Sequence, residues 1–136
     1  TIFSAVSPLS KGGLRGCIGD YNGSGYTLIF NFQNGGQPAV YYSGVAASTL
    51  GAATLVRATW THFALVREGT ALTLYMGGVA GSSPATVSDV TQLSGNWLIG
   101  GNGPGGSFYW DGNLDDFRIT KAAVYTENFT PPTSQL

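Results

Sequence analysis

Residues 96–133 have the sequence NWLIGGNGPGGSFYWDGNLDDFRITKAAVYTENFTPPT, and this stretch decides the fold. It predicts a short strand, a glycine-rich loop, a second strand at 108–120 and then a tail. Asp115 and Asp116 place adjacent carboxylates inside the second strand, and Arg118 follows two residues later. Because a charge inside a strand is costly unless it is paired or bound, these three residues are the first candidate site.

The composition predicts an all-β domain with many turns. The chain has 136 residues, of which 21 are glycine and only 10% are charged, against roughly 25% in an average domain. Such a length suits one domain, which we assign to residues 1–127, with an extended proline-containing exit segment at 128–136. The chain begins with Thr1 and not Met, so we expect it to be a fragment or a processed product.

Charge and cysteine content exclude several classes of protein. The formal net charge is −1, so we expect no binding to nucleic acid or to an anionic membrane. No apolar run approaches the roughly 18 residues of a transmembrane helix. The single cysteine, Cys17, excludes an internal disulfide and a multi-cysteine metal site, and we expect it to be a small buried hydrophobe.

Apolar residues alternate with a period of two along most of the chain, which predicts strands. Residues 26–33 place one apolar face toward a core, made of Tyr26, Leu28, Phe30 and Phe32. Residues 60–67 have two largely apolar faces, which predicts a central strand. A loop at 68–70 joins this strand to an antiparallel partner at 71–76. Short strands separated by glycine turns predict a sandwich or a barrel, with one helical turn at 121–125.

Two segments resemble a known family. They are WTHFALVREGTALTLYMGGV at 60–79 and LIGGNGPGGSFYWDGNLDDFRITKAAVYTENFTPPT at 98–133. Their order and spacing resemble the laminin-G-like branch of the concanavalin A-like lectin/glucanase superfamily. Gly77 stands in the asparagine position of the family's Tyr-Val-Asn-Gly turn, where a type I′ turn accepts either residue. Trp110 stands where the family usually has Phe.

The resemblance implies a two-sheet antiparallel jelly-roll β-sandwich. The exit sequence TKAAVYTENFTPPT is similar to versions found in bacteriophage tail and virion proteins. The family's usual first strand pair has no counterpart before Thr1, and its loss would leave an open sheet edge. We therefore expect that this chain is part of a longer protein or that a neighbouring chain supplies the strand.

Asp115, Asp116 and Arg118 have two interpretations. Some laminin-G-like domains bind Ca²⁺ through Asp side chains, which makes the Asp pair a candidate calcium site. Ca²⁺ prefers six to eight oxygens, however, and one Asp pair cannot supply them. The favoured interpretation is a structural network in which one Asp accepts backbone N–H bonds at a β-bulge and Arg118 pairs with the other.

The glycine-rich loop at 100–106 and the residues after it form a candidate sugar site. Sugar recognition requires a flat aromatic ring and surrounding hydrogen-bonding groups. Four residues could supply both: Asn102, Tyr109, Asp111 and Asn113. In the alternative interpretation the glycines only make a long turn, with Phe108 and Trp110 pointing into the core. The loop has no basic residue, so a phosphate cradle is not predicted.

Other aromatic residues receive mainly structural roles. Tyr41 and Tyr42 must face opposite sides of their strand, so one is core and one exposed, and Tyr42 is kept as a candidate ligand contact. Trp60, like Trp110, is assigned to the structure. His62, the only histidine, is expected to be packed and hydrogen-bonded beside Trp60 in a core hairpin, and not to belong to a catalytic triad.

Glycosidase chemistry is excluded by the carboxylates. A retaining enzyme needs two carboxyl groups about 5–5.5 Å apart, and the two glutamates, Glu68 and Glu127, lie in a turn and in the tail. We therefore expect no enzyme activity, and no cofactor apart from Ca²⁺ if the Asp pair binds it.

The function predicted is adhesion by a non-catalytic module of a phage virion appendage, such as a tail fibre, that recognises glycan or another surface ligand. The alternative is a structural module for virion decoration or assembly that binds no sugar. The expected partners are other virion subunits, a cell-surface glycan and further copies of this chain, with a trimer as the assembly considered. The expected location is the virion or the extracellular space.

Overall fold

The computed structural model describes residues 2–6, 15–21, 26–42, 45–48, 50, 52–56, 58–87, 96–101 and 108–133. Within them the chain forms one 3-10 turn at Asn34–Gly36 and eleven strands. The strands are β1 (Ile2–Val6), β2 (Arg15–Tyr21), β3 (Tyr26–Phe32), β4 (Pro38–Tyr42), β5 (Val45–Ser48), β6 (Thr61–Glu68), β7 (Ala71–Met76), β8 (Val79–Ala80), β9 (Ala85–Thr86), β10 (Asn96–Ile99) and β11 (Asn113–Arg118). In this described part of the chain no helix is long and apolar enough to cross a membrane.

The strands form two antiparallel sheets. Sheet A has the order β11-β1-β6-β7-β8, with β9 also paired to β7, and sheet B has the order β10-β2-β3-β4-β5. All adjacent strands are antiparallel. The predicted all-β, two-sheet antiparallel jelly-roll sandwich is confirmed.

The core lies between the two sheets. Leu28, Phe30 and Phe32 are buried on the inner face of β3, as their alternation predicts. Phe63 of β6 meets Phe30 and Phe32 with ring centroids 5.1 Å and 5.6 Å away, so these rings join the sheets. Cys17 is also buried in this core, and burial raises the pKa of its thiol.

Strand β6 is central and buried on both faces, as predicted. It lies between β1 and β7, and its outer face is covered by the C-terminal strap, residues 123–129. Ala64 and Val66 pack there with Tyr75 of β7. From the strap they meet three side chains, Ala123, Tyr125 and Phe129. The exit segment therefore begins as part of the packed domain.

Strand register gives the sandwich two distinct ends. At the Phe32 end, Phe32 of β3 lies across from Phe63 of β6. At the Tyr42 end, Arg67 of β6 donates a hydrogen bond from Nη1 to Tyr42 Oη at 2.7 Å. The candidate residues that the sequence suggested are divided between these two ends.

Two local predictions are wrong. The strand predicted at 108–120 is confined to β11, and residues 108–112 form a segment outside the sheets. The helical turn predicted at 121–125 is absent, because that segment has only bends before it packs on sheet A.

A candidate carbohydrate site at the Phe32 end

The crossing segment, residues 108–112, carries the chain from sheet B to sheet A. The backbone N–H of Gly16, in β2, donates to the carbonyl of Phe108 at 2.8 Å. The N–H of Trp110 donates to the carbonyl of Gly100, just after β10, at 2.9 Å. Asn113 then begins β11 opposite Val6. The segment is thus fixed at both sheets.

The side chain of Trp110 anchors the crossing segment to the core. Its ring packs against the core and lies 5.5 Å from the ring of Phe32, tilted by 57°. The indole Nε1 is buried and has no hydrogen-bond partner among the residues that the structure describes. This inward position is the one that a structural role requires.

Tyr109 points away from the core. It is 67% exposed, and its ring edge lies over Gly101, where an added Cβ would be 3.8 Å from Tyr109 Cδ1. The alternative interpretation of the loop placed Phe108 in the core, yet it is exposed, because the crossing segment is not a strand and strict alternation does not apply.

Polar side chains continue this surface toward sheet A. Asp111 and Asn113 are both exposed, one within the crossing segment and one at the start of β11. Asn102, the fourth candidate sugar contact, lies outside the described residues. The structure therefore brings three of the four candidates together along one short stretch of chain.

Trp60 is exposed at the same end of the sandwich. We expected it to be structural, but 53% of its surface is accessible. Thr61, the next residue, pairs with Ala5, which pairs on its other side with Leu114. Thr61 and Leu114 are thus two strand spacings, or about 10 Å, apart, and Trp60 and Asn113 directly precede them in the chain. Four residues, Trp60, Tyr109, Asp111 and Asn113, are named the aromatic rim below.

Beside the rim, Asp115 and Asp116 form a β-bulge. Ile2 pairs with Arg118 and Ser4 with Asp115, so two steps along β1 oppose three along β11. Asp116 adopts a φ of +51°, which Asp tolerates better than most residues. Its N–H donates to Asp115 Oδ1 at 2.9 Å.

This geometry supports half of the network expected at the bulge. One Asp does accept a backbone N–H bond there. The expected ion pair of Arg118 with the other Asp is wrong, since the described residues contain no such pair and Arg118 is exposed. Asp115 is also exposed, because β11 is an edge strand, so its charge needs no buried partner.

Residues 5–128 match the model of a laminin G family in the concanavalin A-like lectin/glucanases superfamily. The chain belongs to this family. No curated protein matches it.

Two solved structures are similar to this laminin-G-like domain. One is a mutant of Trypanosoma rangeli sialidase displaying trans-sialidase activity, with a TM-score of 0.58 and 20% identity over 83% of this chain and 18% of that one. The other is Trypanosoma rangeli sialidase in complex with sialic acid, with a TM-score of 0.57 and 19% identity over 83% of this chain and 19% of that one. The domain spans about a fifth of those sialidases, and the likeness shows the fold alone.

Tyr42 lies far from the rim of the laminin-G-like domain. It is 6% exposed at the opposite end of the sandwich, where its hydroxyl accepts the bond from Arg67 and its ring centroid lies 5.8 Å from Arg67 Cζ. Its expected role as a ligand contact at the surface is corrected, because the ring is enclosed. Tyr41 is the half-exposed member of the pair.

The Asp pair of the laminin-G-like domain does not fit a calcium site. Among the described residues no group of three His, Cys, Asp or Glu side chains converges. One carboxylate oxygen already accepts the bulge N–H, and Ca²⁺ would need six to eight oxygens.

His62 lies under the C-terminal strap. Its ring centroid is 6.0 Å from that of Tyr125 and 5.4 Å from that of Phe129, both nearly perpendicular to it. The expected packing is confirmed, but the expected hydrogen bond is wrong, because neither ring nitrogen has a partner among the described residues. Burial lowers the pKa of His62.

Asp20 is a residue that the sequence analysis missed. It is 0% exposed, and within the part of the chain that the structure describes neither carboxylate oxygen has a hydrogen-bond partner. It pairs with Leu28 of β3 and Trp97 of β10, on the core side of sheet B. The only available sequence signal was its position two residues after Ile18, in phase with that buried side chain.

The two glutamates lie on the strapped side of the domain. Both are exposed, and both raise the pKa of Tyr75, although burial of this tyrosine is the larger cause. Tyr75 itself packs against Tyr125 and Phe129 of the strap. Glu68 and Glu127 are thus associated with the outer face of sheet A.

Proposed function

We propose that this laminin-G-like domain is a non-catalytic carbohydrate-binding module and that its ligand contacts the aromatic rim. The observation that carries the proposal is the opposite orientation of two neighbouring rings. Trp110 packs into the core, while Tyr109 beside it is presented to solvent on a segment fixed to both sheets. A fixed, exposed ring is what stacking on a sugar requires.

The polar neighbours of Tyr109 suit the same ligand. Asp111 supplies carboxylate acceptors, and Asn113 supplies both a donor and an acceptor. Sugar hydroxyls both donate and accept hydrogen bonds, so they match this mixture. All three side chains are exposed within five consecutive residues.

Fold and comparisons support a sugar ligand in a general way. The family belongs to a superfamily that includes lectins, and one similar structure is a sialidase in complex with sialic acid. Fold alone does not determine function, so the proposal depends on the rim.

The absence of catalysis is also part of the proposal. Glu68 and Glu127 both act on Tyr75 of sheet A, which associates them with the strapped face and not with the crossing segment. The pKa of Tyr75 is raised, which disfavours the ionised form that a tyrosine nucleophile would need.

We further propose that the module belongs to a phage virion appendage and acts outside the host cell. The support is the similarity of the exit sequence to those of phage tail and virion proteins. Other virion subunits and further copies of this chain, as a trimer, are the proposed partners. The second candidate function is a decoration or assembly domain without a sugar ligand, which the exposed Trp60 and Tyr109 would also suit, since such rings are enriched at protein interfaces.

A glycan array tests the proposed function. The wild-type domain should retain at least one class of glycan. The Tyr109→Ala variant should bind that class about tenfold more weakly, because the loss of a stacked ring costs about 1 kcal/mol or slightly more. Val124→Ala is the matched control, because Val124 is an exposed apolar residue on the strap.

Two results would contradict the proposal. If the wild-type domain retains no glycan, the decoration or assembly function is favoured. If Tyr109→Ala binds as well as Val124→Ala, the rim is not the site.

A further inference from the structure

Trp60 is exposed at a place where the fold does not need an exposed ring. It directly precedes β6, the strand that is buried on both faces. His62, Phe63 and Ala64 are all buried, yet more than half of the Trp60 surface is accessible. A large exposed aromatic beside a rigid strand is a frequent feature of recognition surfaces.

The register of sheet A positions Trp60 relative to the other rim residues. Thr61 and Leu114 lie on opposite sides of β1, about 10 Å apart across two strand spacings, and Trp60 and Asn113 directly precede them in the chain. Tyr109 lies four residues before Asn113, a distance of at most about 14 Å along the chain. The path from Tyr109 along the chain and across β1 to Trp60 therefore passes Asp111 and Asn113.

We propose that Trp60 is a second sugar-stacking platform and that the ligand of the rim is an oligosaccharide extending from Tyr109 to Trp60. This inference rests on the proposed function. A single pyranose ring stacks on one aromatic face and is smaller than the two-strand separation of about 10 Å. Two platforms with hydrogen-bonding groups between them therefore fit a chain of sugar units and not one unit.

The polar residues between the rings favour an oligosaccharide over a protein partner. Asp111 and Asn113 are both exposed and stand between the two aromatic residues. In a protein interface the central residues are depleted in charge, with the polar groups at the margin. Here the arrangement is reversed, since the rings are at the margins and the carboxylate and amide lie between them.

Ligand length is the variable that tests this inference. The probes are cello-oligosaccharides and chito-oligosaccharides, each from monosaccharide to hexasaccharide, together with a matched length series of any other glycan that the array retains. We expect the wild-type affinity to rise with length. Trp60→Ala should bind the monosaccharide unchanged and the longest oligomer about tenfold more weakly, which corresponds to about 1.4 kcal/mol.

Two further variants separate this inference from the proposed function. Tyr109→Ala should weaken binding at every length, and Val79→Ala, an exposed apolar residue in the β7–β8 hairpin, should weaken none. If Tyr109→Ala loses binding and Trp60→Ala matches the wild type at all lengths, the proposed function is kept, but Trp60 is not a second stacking platform. If the wild type binds no sugar at any length, both proposals fail. If Trp60→Ala lowers the oligomeric state in light scattering without a length-dependent loss, Trp60 belongs to a protein interface and the inference is overturned.

Discussion

The C-terminal strap and the aromatic rim contain the same kinds of residue in opposite situations. In the strap, Tyr125 and Phe129 stack at 3.5 Å with an interplanar angle of 7° and cover His62 and Tyr75. In the rim, Tyr109 has its ring in solvent. Composition alone therefore does not distinguish an aromatic residue that closes the fold from one that is available to a ligand.

The two regions are attached to the sandwich in different ways. The N–H of Phe129 donates to the carbonyl of Gly78 at 2.9 Å, and Asn128 Oδ1 accepts the N–H of Ala80 at 2.9 Å. These bonds hold the strap against the β7–β8 hairpin, so its rings lie on sheet A. In the crossing segment the corresponding anchor is Trp110, which leaves its neighbour Tyr109 directed outward.

The largest effect expected on the strap comes from Gly78→Ala. Gly78 has a φ of +83°, and a Cβ there would overlap the carbonyl oxygen of Phe129. The substitution should displace the strap and lower the free energy of unfolding by about 3–5 kcal/mol, the range found for loss of a packed Phe side chain. Urea denaturation measures this change.

Gly77→Ala is the matched control for this prediction. Gly77 has a φ of +59°, so alanine is strained there, but no atom of the described residues lies within 4 Å of the added Cβ. It should cost only about 1–2 kcal/mol, the penalty of the left-handed conformation. Equal losses in the two variants would show that the strap contributes little to stability.

A pH-dependent effect is expected from His62 beneath the strap. Its pKa is lowered from the usual 6.5 by burial. The unfolded chain therefore binds a proton on His62 at a higher pH than the folded domain does. The free energy of unfolding should fall as pH drops below about 6.5 and stop falling, for this residue, below the folded pKa.

Denaturation of the wild type and of His62→Phe, from about pH 7.5 to about pH 5, measures this contribution. Phenylalanine retains a ring for Tyr125 and Phe129 but cannot be protonated, so the variant should lose stability less steeply as the pH falls. Parallel pH profiles for the two proteins would show that His62 is not enclosed by the strap in solution.

Much of the fold was predictable because it depends on local pattern. The alternation of apolar and polar residues identified the inner face of β3. The apolar residues on both faces of β6 identified it as a central strand. Gly77 and Gly78 have the two positive φ angles that a type I′ turn requires. The covering of β6 by Phe129 was not predictable, since that contact joins residues more than sixty positions apart in sequence and no periodicity encodes it.

The candidate site was predictable only in part, for the same reason. Tyr109 is exposed and Trp110 packs inward, but the exposed Phe108 shows that alternation does not hold throughout the crossing segment. Trp60 was assigned to the structure because it adjoins a buried strand, but it lies outside the β6 ladder, where alternation no longer constrains it. Asp20 was overlooked because a single carboxylate in phase with a core face carries little signal until the register across β10, β2 and β3 is known.

The smallest effect is expected at the rim, and it is as informative as the large one at the strap. Tyr109→Ala and Trp60→Ala remove side chains that are more than half exposed, so each should change the free energy of unfolding by no more than about 0.5 kcal/mol. Trp110→Ala, next to Tyr109 but packed against Phe32, should cost about 3 kcal/mol. Urea denaturation of the three variants measures this contrast.

A loss of more than about 1 kcal/mol for Tyr109→Ala or Trp60→Ala would mean that the exposed rings stabilise the fold, as the strap does. A loss of sugar binding in those variants could then no longer be attributed to a missing contact with the ligand.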